Sequence, residues 1–275
     1  MMDGLFQPKQ KVTFFNWVAS SVKSLFKDSL AKASLDASIT GKWGRVKDLI
    51  QNGCNVDSIG TWANSALHNA VLSDRTDVVV LLLEHGANPD VLSQQALDVS
   101  FIIQTPLHIA VSDKRLSIIK LLLFYGARCD IKDSSRKTVL QAAAHDVLPV
   151  LQRYLEIVDQ LKSCFGQAIM TRKDKDTGQS LLSIQKYIEA GTIIYEHFYV
   201  TEANVEAKQC YREKISLCYD KAIELYRGIP VNEKTAELEE RVRQMGEFVR
   251  ECRRGKLEMA QTLESGGLVE KQKMS

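Results

Sequence analysis

The sequence lacks the long apolar run that a membrane-spanning helix needs, and it lacks an excess of charge of either sign. Its 275 residues include 36 basic and 34 acidic side chains, which give a formal net charge of +2. Proteins that bind nucleic acid carry a strong basic excess, so we expect no nucleic-acid partner. The composition, 45% apolar and 25% charged, is typical of a globular protein, and the length predicts about two domains.

Motifs that indicate catalysis or metal binding are also scarce. The patterns GxSxG, HExxH, GxxxxGKS/T and GxGxxG are all missing from the sequence. The cysteines form no CxxC pair and have no histidine at zinc-ligand spacing, so we expect buried or half-buried thiols in a reducing compartment. We therefore predict no enzyme activity, no cofactor and no metal. The six cysteines are Cys54, Cys129, Cys164, Cys210, Cys218 and Cys252.

Three stretches of the chain repeat one pattern. Gly41–Asp57 reads GKWGRVKDLIQNGCNVD, Ser65–Asp90 contains ALHNAV and VVVLLLEHGANPD, and Thr105–Asp130 contains PLHIAV and IIKLLLFYGARCD. The glycine that closes each unit recurs after 33 and then 40 residues. This pattern resembles the ankyrin repeat. The resemblance implies an all-α solenoid that binds other proteins.

Two histidines, His68 and His108, occupy the same place in successive units. They are candidates for a metal site, but in ankyrin repeats this side chain hydrogen-bonds the turn of a neighbouring unit, and we favour that role. We assign residues 34–165 to about four units, with a late-starting first unit and a fourth unit, from Thr138, that caps the stack. The extra residues within 91–104 form either a binding loop or a neutral insertion.

After Phe165 the repeat pattern stops. Residues 166–180 are charged and contain glycine, and we predict a linker there. Amphipathic helical patterns follow at about 181–198, 203–227 and 232–263. They predict an antiparallel three-helix bundle over 181–266, followed by a disordered tail at 267–275.

The string EAKQCYREKISLCYDKAIEL, residues 206–225, resembles the second helix of MIT (microtubule interacting and trafficking) domains, in the version found in spastin and spartin. The similarity covers a third of the chain. It implies that the bundle binds the C-terminal helices of ESCRT-III proteins in apolar grooves between its own helices. The residues that we expect at the groove edges, unless they complete a wide core or pack against the repeats, are Tyr187, Ile194, Tyr219, Phe248 and Leu257.

The N-terminal segment, residues 1–33, is amphipathic. Large apolar side chains between Phe14 and Leu30 share one helical face, and lysines flank them. Such a helix binds a membrane surface through residues 13–31, or it docks on the exposed end of the first repeat. We favour docking, because the first repeat is short and needs cover.

Together the two resemblances imply a non-catalytic adaptor in membrane trafficking or remodelling, which we expect in the cytoplasm and in association with endosomes or membranes. The alternative is a generic scaffold whose C-terminal helices only cap or dimerise the solenoid. A ubiquitin-ligase receptor would end in a SOCS box, and the sequence contains no such motif. Arg75 and Arg115 lie one repeat apart and suit an acidic peptide. The residues expected on the concave face are Trp62, Asn69, Asp74, Arg75, Asp113, Lys114 and Arg115.

Overall fold

The computed structural model describes residues 29–58, 64–93, 95–97, 100–171, 177–230 and 234–253. The chain divides into two compact units, Met1–Leu151 and Gln152–Ser275. Most of the predicted N-terminal helix, up to residue 28, lies outside the described residues. The predicted tail at 267–275 also lies outside them.

The first unit is a stack of short helix pairs. The pairs are α1 (29–39) with α2 (Trp43–Gln51), α3 (Ala66–Leu72) with α4 (Thr76–Glu84), and α5 (Pro106–Ser112) with α6 (Leu116–Phe124), followed by the single short helix α7 (Val139–Ala142). Helix α5 packs against α3 and α7, and helix α4 packs against α2 and α6. The predicted helical solenoid is therefore confirmed, and one short β-hairpin is added to it between α4 and α5.

The inner helices α3, α5 and α7 each begin at a capping box. A hydroxyl accepts a hydrogen bond from the backbone N–H three residues on, and the side chain of that residue accepts one from the N–H of the capping residue. These exchanges satisfy backbone donors that a helix start otherwise leaves unpaired. The capping pairs are Ser65 with His68, Thr105 with His108, and Thr138 with Gln141.

The outer helices bury their apolar residues against the inner ones and stop at glycine. In α4, Val79, Leu82 and Leu83 are buried, as the repeated VVxLLL string predicts. Gly86 follows with φ of +83°, a backbone conformation that glycine adopts without steric cost. The recurring glycine is thus a helix stop.

A short β-hairpin forms where the sequence has its extra residues. Strands β1 (Gln95–Leu97) and β2 (Ser100–Ile102) are antiparallel. The Ser93 N–H donates to the Gln104 carbonyl at 2.8 Å, and the Gln104 N–H donates to Ser93 Oγ at 3.1 Å. The insertion therefore lengthens the finger between two repeats and leaves the helices intact.

Aspartates join successive fingers. Asp57 Oδ1 accepts a hydrogen bond from the Asn88 N–H at 2.7 Å, and Asp90 Oδ1 accepts one from the Arg128 N–H at 2.8 Å. The third aspartate of this series, Asp130, pairs with the Arg128 side chain at the surface. Asp57 and Asp90 therefore link neighbouring fingers, whereas Asp130 forms a surface ion pair.

The second unit contains the four long helices of the described C-terminal residues. Helix α8 (Leu148–Thr171) is followed by α9 (Thr177–Ile193), a π-helical turn (Ile194–Tyr199), α10 (Val205–Arg227) and α11 (Ala236–Arg253). Helix α10 packs against both α9 and α11. The division between the units falls after Leu151, which is earlier than the predicted linker 166–180. Among the described helices, none combines the length and the apolar character required to cross a bilayer.

Helix α8 extends into the second unit because its apolar stripe is buried there. The Tyr154 ring centroid lies 5.3 Å from that of Phe198, and Ser183 Oγ donates to the Ala168 carbonyl at 3.3 Å. A spacing of three and four residues places the stripe on one helical face. Its buried members in this unit are Tyr154, Ile157, Val158, Leu161, Cys164 and Ala168.

The π-helical turn at the end of α9 positions the centre of this core. The Val200 N–H donates to the Tyr195 carbonyl at 2.9 Å, which is the five-residue spacing of a π-helix. Phe198 is fully buried, and its ring lies 5.2 Å from that of Tyr211. The Tyr154 hydroxyl lies 3.1 Å from the carbonyl of His197 and donates a hydrogen bond to it. Helix α8 thus supplies both packing and a hydrogen bond to the irregular turn.

Candidate partner-binding surfaces

Arg115, predicted on the concave face, is bound within the repeat stack. Its guanidinium donates to the carbonyls of Val71 and Leu72, the last two residues of α3, at 2.8 Å for Leu72. It also lies 3.1 Å from the Asp113 carboxylate and 3.6 Å from that of Asp74. A cation at the C-terminal end of a helix stabilises the carbonyls that lack helical partners. Arg115 therefore links two repeats.

Arg75, one repeat earlier, has a different partner. Its guanidinium forms a two-pronged pair with Asp77, at 2.9 Å and 2.7 Å, and lies over the Trp43 ring at 5.7 Å. Lys47 contacts the same carboxylate at 2.7 Å. The hydrogen bond from Arg75, aided by Lys47, holds the pKa of Asp77 well below its usual range despite partial burial. Recognition of an acidic peptide by Arg75 and Arg115 stays a prediction, and such a peptide would compete with these aspartates.

The other residues predicted on the concave face lie at inner turns or on α3. Asn69 donates to Ser38 Oγ at 2.9 Å. Asp74 and Lys114 occupy equivalent turns with φ of +53° and +56°, and Lys114 pairs with Asp146 at 2.6 Å. Trp62 lies outside the described residues. Asp74 and Lys114 are the members of the set most exposed to a partner.

The two repeat histidines are structural. His68 Nε2 lies 3.1 Å from the Gln104 carbonyl, in the finger that leads to the next repeat. Burial lowers the pKa of His68 to about 4, against the opposing effect of this backbone contact. Burial also lowers the pKa of His108. Within the described part of the chain, no cluster of three or more histidine, cysteine or carboxylate side chains is placed to hold a metal ion.

The four groove-edge residues of the predicted bundle that the structure describes are buried. Tyr187, Ile194, Tyr219 and Phe248 have exposed fractions of 8%, 0%, 2% and 2%. The Tyr187 ring lies 6.4 Å from Phe165 of α8, and the Tyr219 ring lies 5.3 Å from Phe248. Leu257 lies outside the described residues. These side chains form the interior of the unit, because α9 is covered by both α8 and α10.

An open groove lies between α10 and α11. It encloses about 460 Å³, and its walls include the apolar side chains of Ile223, Val242 and Val249 together with Gly246. Our sequence reasoning missed these residues, although one signal was present: Gly246 interrupts a helix otherwise rich in strong helix formers. The charged residues at its margins are Asp220, Glu224, Arg227, Arg243 and Arg250.

The charges at this groove are only partly neutralised. Arg243 pairs with Glu240 at 2.5 Å and with Glu247 at 2.6 Å. Arg250 lies 4.0 Å from Glu247 and is largely exposed. Arg227, in the last turn of α10, has no carboxylate partner among the described residues. The groove thus offers an apolar floor and two available cations.

Comparison with known proteins supports the assignment of ankyrin repeats in the N-terminal half of the chain. Residues 36–133 match the family model of ankyrin repeats, in three copies. The mouse (Mus musculus) 2-5A-dependent ribonuclease is 46% identical over 46 residues, which are 16% of this chain and 6% of the ribonuclease. The chain therefore contains ankyrin repeats. The family match ends at residue 133, so the resemblance of the C-terminal helices to MIT domains of the spastin and spartin type has no support from these comparisons.

Proposed function

We propose that this chain is a non-catalytic adaptor whose C-terminal helices bind the tail helix of an ESCRT-III protein, while its repeats bind a second protein. Ankyrin repeats generally bind protein partners and do not catalyse reactions, and three copies are present here. The groove between α10 and α11 is the observation that carries the C-terminal half of the proposal. Both activities together would recruit or localise a partner in membrane trafficking or remodelling.

The chemistry of the groove suits an amphipathic helix. Leucines spaced three and four residues apart on a partner helix would lie over Ile223 and Val242, which are partly exposed in the groove. Each CH₂ group that such a contact buries contributes about 0.8 kcal/mol. Arg227 and Arg250, at the margins, would pair with acidic residues of the tail and so fix its register.

Gly246 provides a direct test of this proposal. An added Cβ at Gly246 meets no other atom within 4 Å, so a Gly246→Trp side chain extends into the groove without striking the backbone. We expect the full-length protein to bind a synthetic ESCRT-III tail peptide with a Kd on the order of micromolar, equivalent to about 8 kcal/mol. Gly246→Trp should weaken this binding at least about tenfold, which is 1.4 kcal/mol.

The matched control is Gly246→Ala, which keeps the groove open and the helix intact. Fluorescence anisotropy with labelled tail peptides measures both variants, and circular dichroism verifies their helical content. Normal binding by Gly246→Trp, or no binding of any tail peptide by the unmodified protein, would contradict the proposal.

One observation favours the alternative of a generic scaffold. Tyr187, Ile194, Tyr219 and Phe248 are used inside the unit and so offer little to a partner. In the scaffold, the C-terminal helices would cap the stack or mediate dimerisation. Light scattering coupled to gel filtration separates the two cases, because the adaptor is expected to be a monomer that binds tail peptides, whereas the scaffold would self-associate and bind none.

The proposal can be extended to the N-terminal segment, which would bind a membrane surface. Residues 13–31 carry the aromatic and lysine pattern of an interfacial helix. Flotation of the full chain with vesicles that contain phosphatidylserine tests this contact. Docking on the first repeat predicts that the protein stays at the bottom of the gradient.

A further inference from the structure

The turn between the third and fourth repeats carries three cations that have no partner among the described residues. Lys132, Arg136 and Lys137 are exposed, and no hydrogen bond or ion pair joins their side chains to any of the described residues. By contrast, the basic residues of the neighbouring turns and fingers are paired with aspartates; these are Arg75, Lys114, Arg115 and Arg128. We call residues Lys132–Lys137 the basic turn.

The backbone of the basic turn is fixed in place. The Asp133 N–H donates to the Lys137 carbonyl at 2.9 Å, and Asp133 Oδ1 accepts from the N–H groups of Ser135 and Lys137, each at 2.9 Å. The Ser134 N–H donates to the Ile103 carbonyl at 3.0 Å, which ties the turn to the preceding finger. The one carboxylate in the turn is therefore directed at backbone groups, and the cations project from a rigid base.

Arg136 adopts a backbone conformation that is unfavourable for a residue with a Cβ atom. Its φ is +60°, in the left-handed region where a Cβ is crowded and glycine is the usual residue. The hydrogen bond from its N–H to the Asp133 carbonyl, at 2.9 Å, needs only the backbone and would be kept by glycine. The Arg136 side chain makes no hydrogen bond or ion pair with the described residues that would compensate for this strain. Strained residues of this kind cluster at functional sites.

We infer that the basic turn docks an acidic, extended segment of the protein that the ankyrin repeats bind; this inference rests on the protein-binding part of the proposed function. Three cations within six residues match carboxylates spaced along a short peptide. Nucleic acid is the weaker match, because it requires many phosphate contacts and the chain as a whole carries a net charge of only +2.

The test uses the full chain and a fluorescein-labelled peptide of ten glutamates, with binding measured by anisotropy. Reversal of the three charges, Lys132→Glu with Arg136→Glu and Lys137→Glu, should weaken binding about tenfold, since each exposed charge contact contributes modestly. The matched control is Arg153→Glu, which reverses an exposed arginine on α8 that has no ion pair within the described part of the chain, and it should leave binding unchanged.

Arg136→Gly separates a binding role from a structural one. Relief of the left-handed strain should raise the thermal midpoint of the repeat unit by about 3 °C, while loss of one cation should weaken peptide binding about twofold. A structural role would instead lower the midpoint.

The inference is overturned if Arg153→Glu weakens binding as much as the triple reversal, or if Arg136→Gly leaves peptide binding unchanged. It is also overturned if a ten-residue oligothymidine, or vesicles containing phosphatidylserine, compete for the basic turn better than the glutamate peptide. These outcomes do not depend on the groove between α10 and α11, so binding of ESCRT-III tail peptides succeeds or fails independently.

Discussion

The contact between Gly191 and Tyr219 provides a sharp test of the packing in the second unit. Gly191 lies in α9, and a Cβ added to it would lie 2.4 Å from Tyr219 Cε1 and 3.0 Å from Cδ1. The Tyr219 ring has little room to move, because it is buried and packs edge-on against Phe248. Burial also raises the pKa of the Tyr219 hydroxyl, with an opposing hydrogen bond from Thr192. Gly191→Ala should therefore force α9 and α10 apart.

The size of the effect follows from two opposing contributions. Overpacking of a dense core costs about 1–3 kcal/mol, and a contact as short as 2.4 Å falls at the upper end of that range. Replacing glycine by alanine within a helix gains up to about 1 kcal/mol. We expect a net loss of about 2 kcal/mol in the free energy of unfolding, from these two ranges.

Urea unfolding followed by circular dichroism measures this loss, with Gly246→Ala as the matched control. Gly246 is also a helical glycine, but its added Cβ meets no atom within 4 Å, so this variant should be more stable than the unmodified protein by up to about 1 kcal/mol. The two alanine substitutions thus have opposite expected signs. Combining Gly191→Ala with Tyr219→Leu should recover part of the loss, since the leucine relieves the clash. Equal or greater stability of Gly191→Ala alone would refute the proposed packing.

Three further predictions concern the aspartate series, a histidine and helix α8. Asp90→Ala should lower stability by about 1.5–3 kcal/mol in urea unfolding, because its carboxylate joins two fingers. Asp130→Ala, at the surface, should change stability much less. His68 has a pKa of about 4 in the folded protein and 6.5 in the unfolded chain, so the unfolded chain binds one more proton as the pH falls below 6.5. The free energy of unfolding should therefore fall by about 2 kcal/mol between pH 7 and pH 5. His68→Asn should remove most of this pH dependence. A fragment of residues 148–253 should unfold cooperatively, but a fragment of residues 178–253 should not, because it lacks α8, which covers Tyr187 and Phe198. Cooperative unfolding of the shorter fragment would show that α8 is not part of this core.

The repeats were predictable from the sequence because their signal is redundant. Each unit contributes a capping hydroxyl, a histidine, an apolar outer helix and a glycine, and these recur in register. Arg75 and Arg115 also recur, yet they have different partners. Asp77 follows Arg75 by two residues, whereas Ser117 occupies that place after Arg115, so the second arginine turns to the end of α3 instead. Equal spacing predicts an equal backbone position but leaves the side-chain partner open.

The extent of the second unit was less predictable. The apolar stripe of α8 has the same period whichever unit covers it, so the sequence alone does not assign Tyr154 or Leu161 to one side. Helix α10 packs against two helices, and its apolar face is therefore wider than a single stripe. For that reason Tyr219 was expected at a groove edge although it lies in the core. Only tertiary packing distinguishes a wide core from a binding groove.

The inner turns have left-handed backbone conformations, and the ion pairs of their side chains compensate only in part for the strain. Gly41 has φ of +69° at the turn after α1, and the same turn in the next two repeats is occupied by Asp74 and Lys114, also with positive φ. Glycine fits this place and aspartate tolerates it, whereas a left-handed conformation costs a residue such as lysine about 1–2 kcal/mol. The pair between Lys114 and Asp146 has side chains that are 55% and 60% exposed, and such surface pairs contribute little to stability. The carboxylate of Asp74 lies 3.6 Å from Arg115 and is even more exposed. The strain that remains at Lys114 supports the prediction that its side chain contacts a partner on the concave face, and the same argument applies to Arg136 in the basic turn.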